Sequence, residues 1–83
     1  MRVILSHQAK KQYDNLPLPQ QKKVKKKLLS LEEYPQSGKK LSGELNQFRS
    51  LRAWPYRIIY AVNEKDNRLE VVDIEHRQSA YRK

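Results

Sequence analysis

The chain has 83 residues, of which 18 are lysine or arginine and nine are aspartate or glutamate, giving a formal net charge of +9. This length predicts a single domain over residues 1–83 with a thin core, and the lack of cysteine excludes disulfides and thiolate metal sites. No apolar run approaches the roughly 20 residues of a membrane helix. The apolar run near the start is also too short for the hydrophobic region of a signal peptide. We therefore expect a cytoplasmic protein with no membrane partner. The basic excess favours a polyanion, either nucleic acid or an acidic protein segment.

The first half of the chain predicts a short strand followed by two helices. RVIL near the start is a β-favouring run, and Ser6 offers an N-cap for a helix over 7–16. Pro17 and Pro19 end that helix and suit the start of the next. Residues 20–34 carry an apolar stripe at helical spacing, with lysines on the rest of the surface. Two helices joined by so short a turn should form an antiparallel hairpin.

The second half predicts three strands, over about 48–53, 56–63 and 68–75, joined by the AWPY corner and the polar NEKDN turn. Short turns make these strands antiparallel neighbours. The element order is then β-α-α-β-β-β, an α+β fold. The simplest compact arrangement packs the helix hairpin on one face of a small twisted antiparallel sheet and leaves the other face open.

Three arginines lie in the first predicted hairpin, within FRSLRAWPYRIIYAV, and no acidic residue occurs in that stretch. Side chains alternate along a strand, so a regular hairpin places Arg52 opposite Arg57 on the open face and Leu51 opposite Ile58 in the core. Like charges about 5 Å apart at Cβ repel each other, and an anion bound between them would turn that repulsion into a site. The alternative is a solvated sheet edge where the arginines cover an aromatic ring. Arg49 has the opposite parity.

The end of the chain adds His76, Arg77 and Tyr81, which we expect to reach the same open face. Guanidiniums, an imidazole and a phenol suit RNA cleavage by a 2′-hydroxyl, which needs cations, proton transfer and base stacking but neither a metal nor another cofactor. Alternatively, His76 is a surface or capping residue and Tyr81 covers the sheet edge. Five further basic residues would either contact the RNA phosphates or simply be solvated. They are Arg49, Lys22, Lys23, Lys26 and Lys40.

The segments KKLSGELNQFRSLRAWPYRIIYAV and IEHRQSAYRK resemble the RelE/ParE toxin superfamily of type II toxin–antitoxin systems, on the RelE side. The resemblance implies a RelE-like fold and a toxin that enters the ribosomal A site and cuts mRNA there. It also implies a cognate antitoxin, acidic and RelB-like, that neutralises the toxin. Operator DNA would be contacted only through the toxin–antitoxin complex.

The resemblance also assigns roles to individual residues. Arg57 and Arg77 would contact the phosphate and the transition state, Arg52 matches another strand arginine, and Tyr81 would stack or assist proton transfer. The chain departs from the best-known RelE toxins in the first hairpin strand, where their lysines are replaced and no general base is evident. His76 is the candidate proton shuttle because its intrinsic pKa lies near neutrality. Two other functions stay open: a ParE-like inhibitor of DNA gyrase without nuclease activity, and an inactive toxin that only binds its antitoxin.

Overall fold

In the computed structural model, which describes residues 1–76, two helices pack on one face of a five-stranded sheet. The predicted α+β architecture is therefore confirmed. In chain order the elements are β1 (Arg2–Leu5), α1 (His7–Asp14), α2 (Leu18–Glu33), β2 (Lys39–Lys40), β3 (Phe48–Ala53), β4 (Tyr56–Asn63) and β5 (Arg68–His76). A single 3₁₀ turn lies between β2 and β3.

The sheet is mixed, which corrects the prediction of an antiparallel sheet. Its strand order is β1-β5-β4-β3-β2, with β1 parallel to β5 and all other neighbours antiparallel. A strand as short as RVIL carries no sign of its direction in the sequence, and the direction is fixed only when the two helices carry the chain from one sheet edge to the other. The two-residue β2 was not predicted, because a polar loop has no alternating pattern.

The helices begin and end for the local reasons that the sequence indicates. Ser6 caps α1, and its Oγ accepts a hydrogen bond of 3.0 Å from the Ala9 N–H. Pro17 precedes α2, and Pro19 lies in the first turn, where the missing N–H has no intrahelical role. Neither described helix has the length and apolar character that crossing a membrane requires.

The core lies between the helices and one sheet face. Its buried residues on the helices are Ala9, Val24 and Leu31. Those on the sheet are Ala53, Ile58, Tyr60, Leu69, Val71 and Ile74. Every buried position in β4 has the parity predicted for the helix side, so Arg57 and Ile59 face away from the helices.

A β-bulge in β5 decides which residues of that strand face the helices. Ile59 pairs with Asp73 but Tyr60 pairs with Val71, so Val72 is the extra residue. The bulge lets both Val71 and Ile74 reach the core, although their spacing of three residues would put them on opposite faces of a regular strand. It also moves Glu75 to the open face of the sheet.

Candidate anion-binding site

The β3–β4 hairpin holds two arginines side by side. Arg52 pairs with Arg57 and Leu51 with Ile58, which confirms the predicted register. Because side chains alternate, both arginines lie on the sheet face opposite α1 and α2, which we call the arginine face. Two guanidiniums on directly opposed residues, about 5 Å apart at Cβ, destabilise the sheet unless an anion or a carboxylate offsets their charge.

A groove of about 660 Å³ lies against Arg52 and Arg57, and we call it the anion groove. It is lined by Ser37, Lys39, Lys40, Leu41, Ser42, Ser50, Leu51, Arg52 and Arg57. These described lining residues include four cations and three serine hydroxyls, and no carboxylate. A concave surface lined by one sign of charge concentrates the electrostatic field on a bound counter-ion. The groove is therefore suited to a phosphate chain.

The loop that leads into β2 is held by the buried Tyr60. The Tyr60 hydroxyl donates a hydrogen bond of 3.0 Å to the Pro35 carbonyl oxygen and accepts one of 2.8 Å from the Gly38 N–H. Burial raises the pKa of Tyr60 above its ordinary value, although the Gly38 hydrogen bond and the Arg49 charge both act to lower it. The neutral phenol thus anchors the loop that delivers Lys39 and Lys40 to the anion groove.

Arg49 holds the same loop and is not among the residues that line the groove. Its Nη1 donates hydrogen bonds of 2.8 Å to the Gly38 carbonyl oxygen and 3.2 Å to the Gln36 carbonyl oxygen. Its strand parity is that of the core residue Ala53, as the sequence predicts. The position of Arg49 therefore indicates that it orients the loop, in place of the RNA contact expected from its charge.

The lysines of α2 are not brought to the arginine face, because α2 packs on the other side of the sheet. Lys22 and Lys26 are exposed there. Lys23 is also exposed, but its Nζ donates a hydrogen bond of 2.9 Å to the Trp54 carbonyl oxygen at the β3–β4 turn. Of the basic residues proposed to grip RNA, only Lys40 lines the anion groove.

His76 lines a pocket with Glu75 but has the opposite parity to the arginines, so the expectation that it shares their face is wrong. It pairs with Tyr56, and the two rings meet edge to face at 5.2 Å. Its parity is that of the buried Ile74, on the helix side of the sheet. Arg77 and Tyr81 lie outside the described residues.

Glu75 is the residue that the sequence analysis missed. It pairs with Arg57, so that Arg52, Arg57 and Glu75 form one row across three strands. Burial raises the pKa of the Glu75 carboxyl, and a hydrogen bond to Asp73 and the Asp73 charge raise it further, while the Arg57 charge lowers it. Without the bulge, Glu75 would share a face with Val71 in the core, and nothing in the sequence marks the bulge.

The sequence of this chain matches a known protein family. The model of the family described as "ParE toxin of type II toxin-antitoxin system, parDE" matches residues 3–81. No curated protein sequence matches the chain significantly.

Several solved structures share the fold of this chain. The toxin–antitoxin complex RelBE2 from Mycobacterium tuberculosis is 24% identical, with a TM-score of 0.84 over 92% of this chain and 96% of that chain. The YoeB/ParE toxin from Agrobacterium tumefaciens is 19% identical and has a TM-score of 0.80, and the match covers 92% of this chain and 98% of the toxin chain. A chain of the archaeal RelE–RelB complex from Pyrococcus horikoshii is 25% identical and has a TM-score of 0.75, and the match covers 92% of this chain and 93% of that chain. The predicted RelE-like fold is therefore confirmed.

Proposed function

The chain belongs to the family of ParE toxins of type II toxin–antitoxin systems, and within the RelE/ParE/YoeB superfamily we propose that it is an endoribonuclease that cuts mRNA in the ribosomal A site. The predicted membership in the RelE/ParE superfamily is thereby confirmed. The observation that carries the nuclease proposal is the anion groove, in which Arg52 and Arg57 converge with Lys39 and Lys40.

The groove supplies what phosphodiester cleavage by a 2′-hydroxyl requires of its cations. A phosphate that lies between Arg52 and Arg57 accepts charge-assisted hydrogen bonds from both guanidiniums. These contacts strengthen as negative charge grows on the phosphoryl oxygens in the transition state, and they hold the phosphate in line for attack. Lys39 and Lys40 bind a neighbouring phosphate and set the register of the RNA. As the family resemblance implies, Arg77 adds a cation and Tyr81 stacks on a base.

Four of the predicted residues, His76 and three lysines of α2, make no contact with RNA at the anion groove in this proposal. His76 has the parity of the helix side of the sheet, and we assign it no phosphate contact. The α2 lysines Lys22, Lys23 and Lys26 face away from the groove and would act only on a larger surface such as the ribosome.

A cognate antitoxin is the proposed protein partner. The related proteins from M. tuberculosis and P. horikoshii were solved as toxin–antitoxin complexes. A chain with a net charge of +9 favours an acidic, RelB-like partner, and contact with operator DNA would come only through that complex.

The test is cleavage of a defined mRNA on purified ribosomes with an empty A site, with the 5′ ends of the products mapped. We expect the wild-type protein to cut inside the A-site codon and R57A to lose the cut. R68A is the matched control, because Arg68 pairs with Glu70 and Asp66, away from the groove, and it should cut normally. The absence of any cut by folded wild-type protein on translation-competent ribosomes would overturn the nuclease proposal.

Inhibition of DNA gyrase is the second candidate function, because the matching family is described as ParE toxins. The two functions differ in the first response of a cell that expresses the toxin. A nuclease stops translation promptly, whereas a gyrase inhibitor induces a DNA-damage response first. A cell that shows neither response would indicate a toxin fold that only binds its antitoxin.

A further inference from the structure

RNA cleavage at the anion groove requires a group that accepts the proton of the attacking 2′-hydroxyl. Arg52 and Arg57 cannot do so, because a guanidinium stays protonated in proteins and has no acceptor atom. His76, the only described imidazole on β5, has the backbone parity of the helix side of the sheet and packs edge to face on Tyr56, so its ring faces away from the anion groove. The acceptor therefore has to be sought among the carboxylates that β5 places on the arginine face.

Three carboxylates of β5 have the parity of the arginine face, and two of them are already engaged. The Asp73 Oδ1 accepts hydrogen bonds from the side-chain amides of Gln8 at 3.0 Å and Gln12 at 2.7 Å, which hold it towards α1. Glu70 accepts a hydrogen bond of 2.7 Å from Arg68 Nε and pairs with Ala61, far along the strand from Arg57. The third is Glu75, which is hydrogen-bonded to Asp73 and is the carboxylate directly opposite Arg57.

We propose that the Glu75 carboxylate is a catalytic residue that accepts the proton of the attacking 2′-hydroxyl; the inference rests on the nuclease function proposed above. As this proton moves to Glu75, the 2′-oxygen bonds to phosphorus and the bond from phosphorus to the 5′-oxygen breaks. The products are a 2′,3′-cyclic phosphate and a 5′-hydroxyl, whose oxygen takes its proton from water. The hydroxide left by that water removes the proton from Glu75, which restores the carboxylate.

The surroundings of Glu75 suit this role. Glu75 lines a separate pocket beside α1 but pairs directly with Arg57, which lines the anion groove, so a phosphate bound by Arg57 would bring its ribose towards Glu75. Burial and Asp73 make the Glu75 carboxyl a stronger proton acceptor than an ordinary glutamate, and the Arg57 charge opposes this in part. An acceptor whose pKa is closer to neutrality transfers protons more effectively near neutral pH. The described titratable groups around it are Arg57 and Tyr56 on β4 and Asp73 and His76 on β5, while α1 offers the amides of Gln8, Gln12 and Asn15.

The experiment measures single-turnover cleavage of A-site mRNA against pH, together with the affinity of each variant for the programmed ribosome. E75Q keeps the size of the side chain but cannot accept the proton. We expect its rate to fall by roughly 10²–10⁴-fold, with little change in affinity, and the decline of the rate at acid pH to disappear. E70Q, on the same strand and face, is the matched control and should retain the wild-type rate and pH profile.

The outcomes separate the two proposals. No cleavage by the wild-type protein overturns the nuclease function, and this inference with it. Cleavage by E75Q at the wild-type rate or faster, with an unchanged pH profile, overturns the role of Glu75 alone. If E75Q does not fold, D73N gives the answer: removal of the Asp73 charge should lower the pKa of Glu75 and move the acid limb of the wild-type profile to lower pH. An acid limb that stays in place would also overturn the role.

Discussion

The hydroxyl of Tyr60 accepts a hydrogen bond of 2.8 Å from the Gly38 N–H, and the Tyr60 ring fills the space that a Gly38 side chain would need. Tyr60 belongs to the core, and Gly38 immediately precedes β2, whose two lysines line the anion groove. The contact therefore joins the stability of the fold to the shape of the candidate site.

Substitution of Gly38 by alanine should destabilise the protein by about 1–3 kcal/mol, because a Cβ has to be accommodated in a packed region. That Cβ would lie 2.8 Å from Tyr60 Cε1 and 2.9 Å from Cζ, and the buried ring has little freedom to move. Urea unfolding of G38A, Y60F and the double variant measures the loss of unfolding free energy caused by G38A and how far that loss depends on the Tyr60 hydroxyl. G43A is the control: Gly43 has a φ of 70° but no neighbour within 4 Å of its Cβ position. The loss of unfolding free energy caused by G43A should be the same with and without Y60F. If the loss caused by G38A were also the same in both backgrounds, the packing explanation would be contradicted.

Stability should fall in alkaline solution because of Tyr60. Its pKa is raised in the folded protein, mainly by burial, so the folded state retains the proton at a pH where the unfolded chain has lost it. The stability that the neutral phenol contributes is complete below the ordinary pKa of 10.0 and is lost as the pH rises through the folded pKa. Urea midpoints across this range should decline for the wild type and decline less for Y60F. Y60F itself should cost about 1–3 kcal/mol at neutral pH, since Pro35 and Gly38 lose a hydrogen-bond partner. Parallel alkaline declines in both proteins would assign the effect to another group.

Arg49 should influence RNA binding through the loop and not through phosphate contact. Replacement by alanine removes the two hydrogen bonds to the Gln36 and Gly38 carbonyl oxygens and should free the loop that carries the groove lysines. We expect R49A to weaken the binding of a short single-stranded RNA several-fold, measured by fluorescence anisotropy. K65A removes one exposed charge from the β4–β5 turn and is the control for net charge. If R49A leaves the salt slope unchanged, it acts by positioning; a slope reduced by about 0.7 would instead mean a direct phosphate contact.

The salt dependence of RNA binding should distinguish the anion groove from α2. For a single strand, the log–log slope of affinity against salt changes by about 0.7 for each phosphate neutralised. K39A and K40A should each reduce the magnitude of the slope by about that amount, because both residues line the groove. K22A and K26A remove the same charge from the helix side of the sheet and should leave the slope unchanged for a short RNA. Equal effects of all four substitutions would show that the net charge governs binding, and not the groove.

Local patterns predicted both helices, the arginine pair and every described strand except β2, but not the features that depend on distant strands. Alternation and the short AWPY corner were sufficient to place Arg52 opposite Arg57, since a hairpin register depends on neighbouring residues alone. The bulge at Val72 arises from the pairing of β5 with β4. Because of this extra residue, Glu75 lies on the arginine face and His76 on the helix side, the reverse of what regular alternation from Val71 would give. The interpretation of His76 failed for this reason, and Glu75 was overlooked for the same one.

Glu75 should destabilise the protein at neutral pH, as expected for a group held for its chemistry at the expense of stability. Its pKa is raised in the folded state by burial and by Asp73, so the folded protein keeps the proton after the unfolded chain has lost it. The contribution of the protonated carboxyl is complete below the ordinary pKa of 4.5 and is lost as the pH rises through the folded pKa. E75Q mimics the protonated form, so its urea midpoint should exceed that of the wild type at neutral pH, and the difference should vanish in acid. E70Q is again the control, and it should gain nothing because Glu70 is paired with Arg68. A lower midpoint for E75Q at neutral pH would mean that attraction to Arg57 outweighs burial and the Asp73 charge, and that Glu75 serves chiefly to balance the charge of the arginine row.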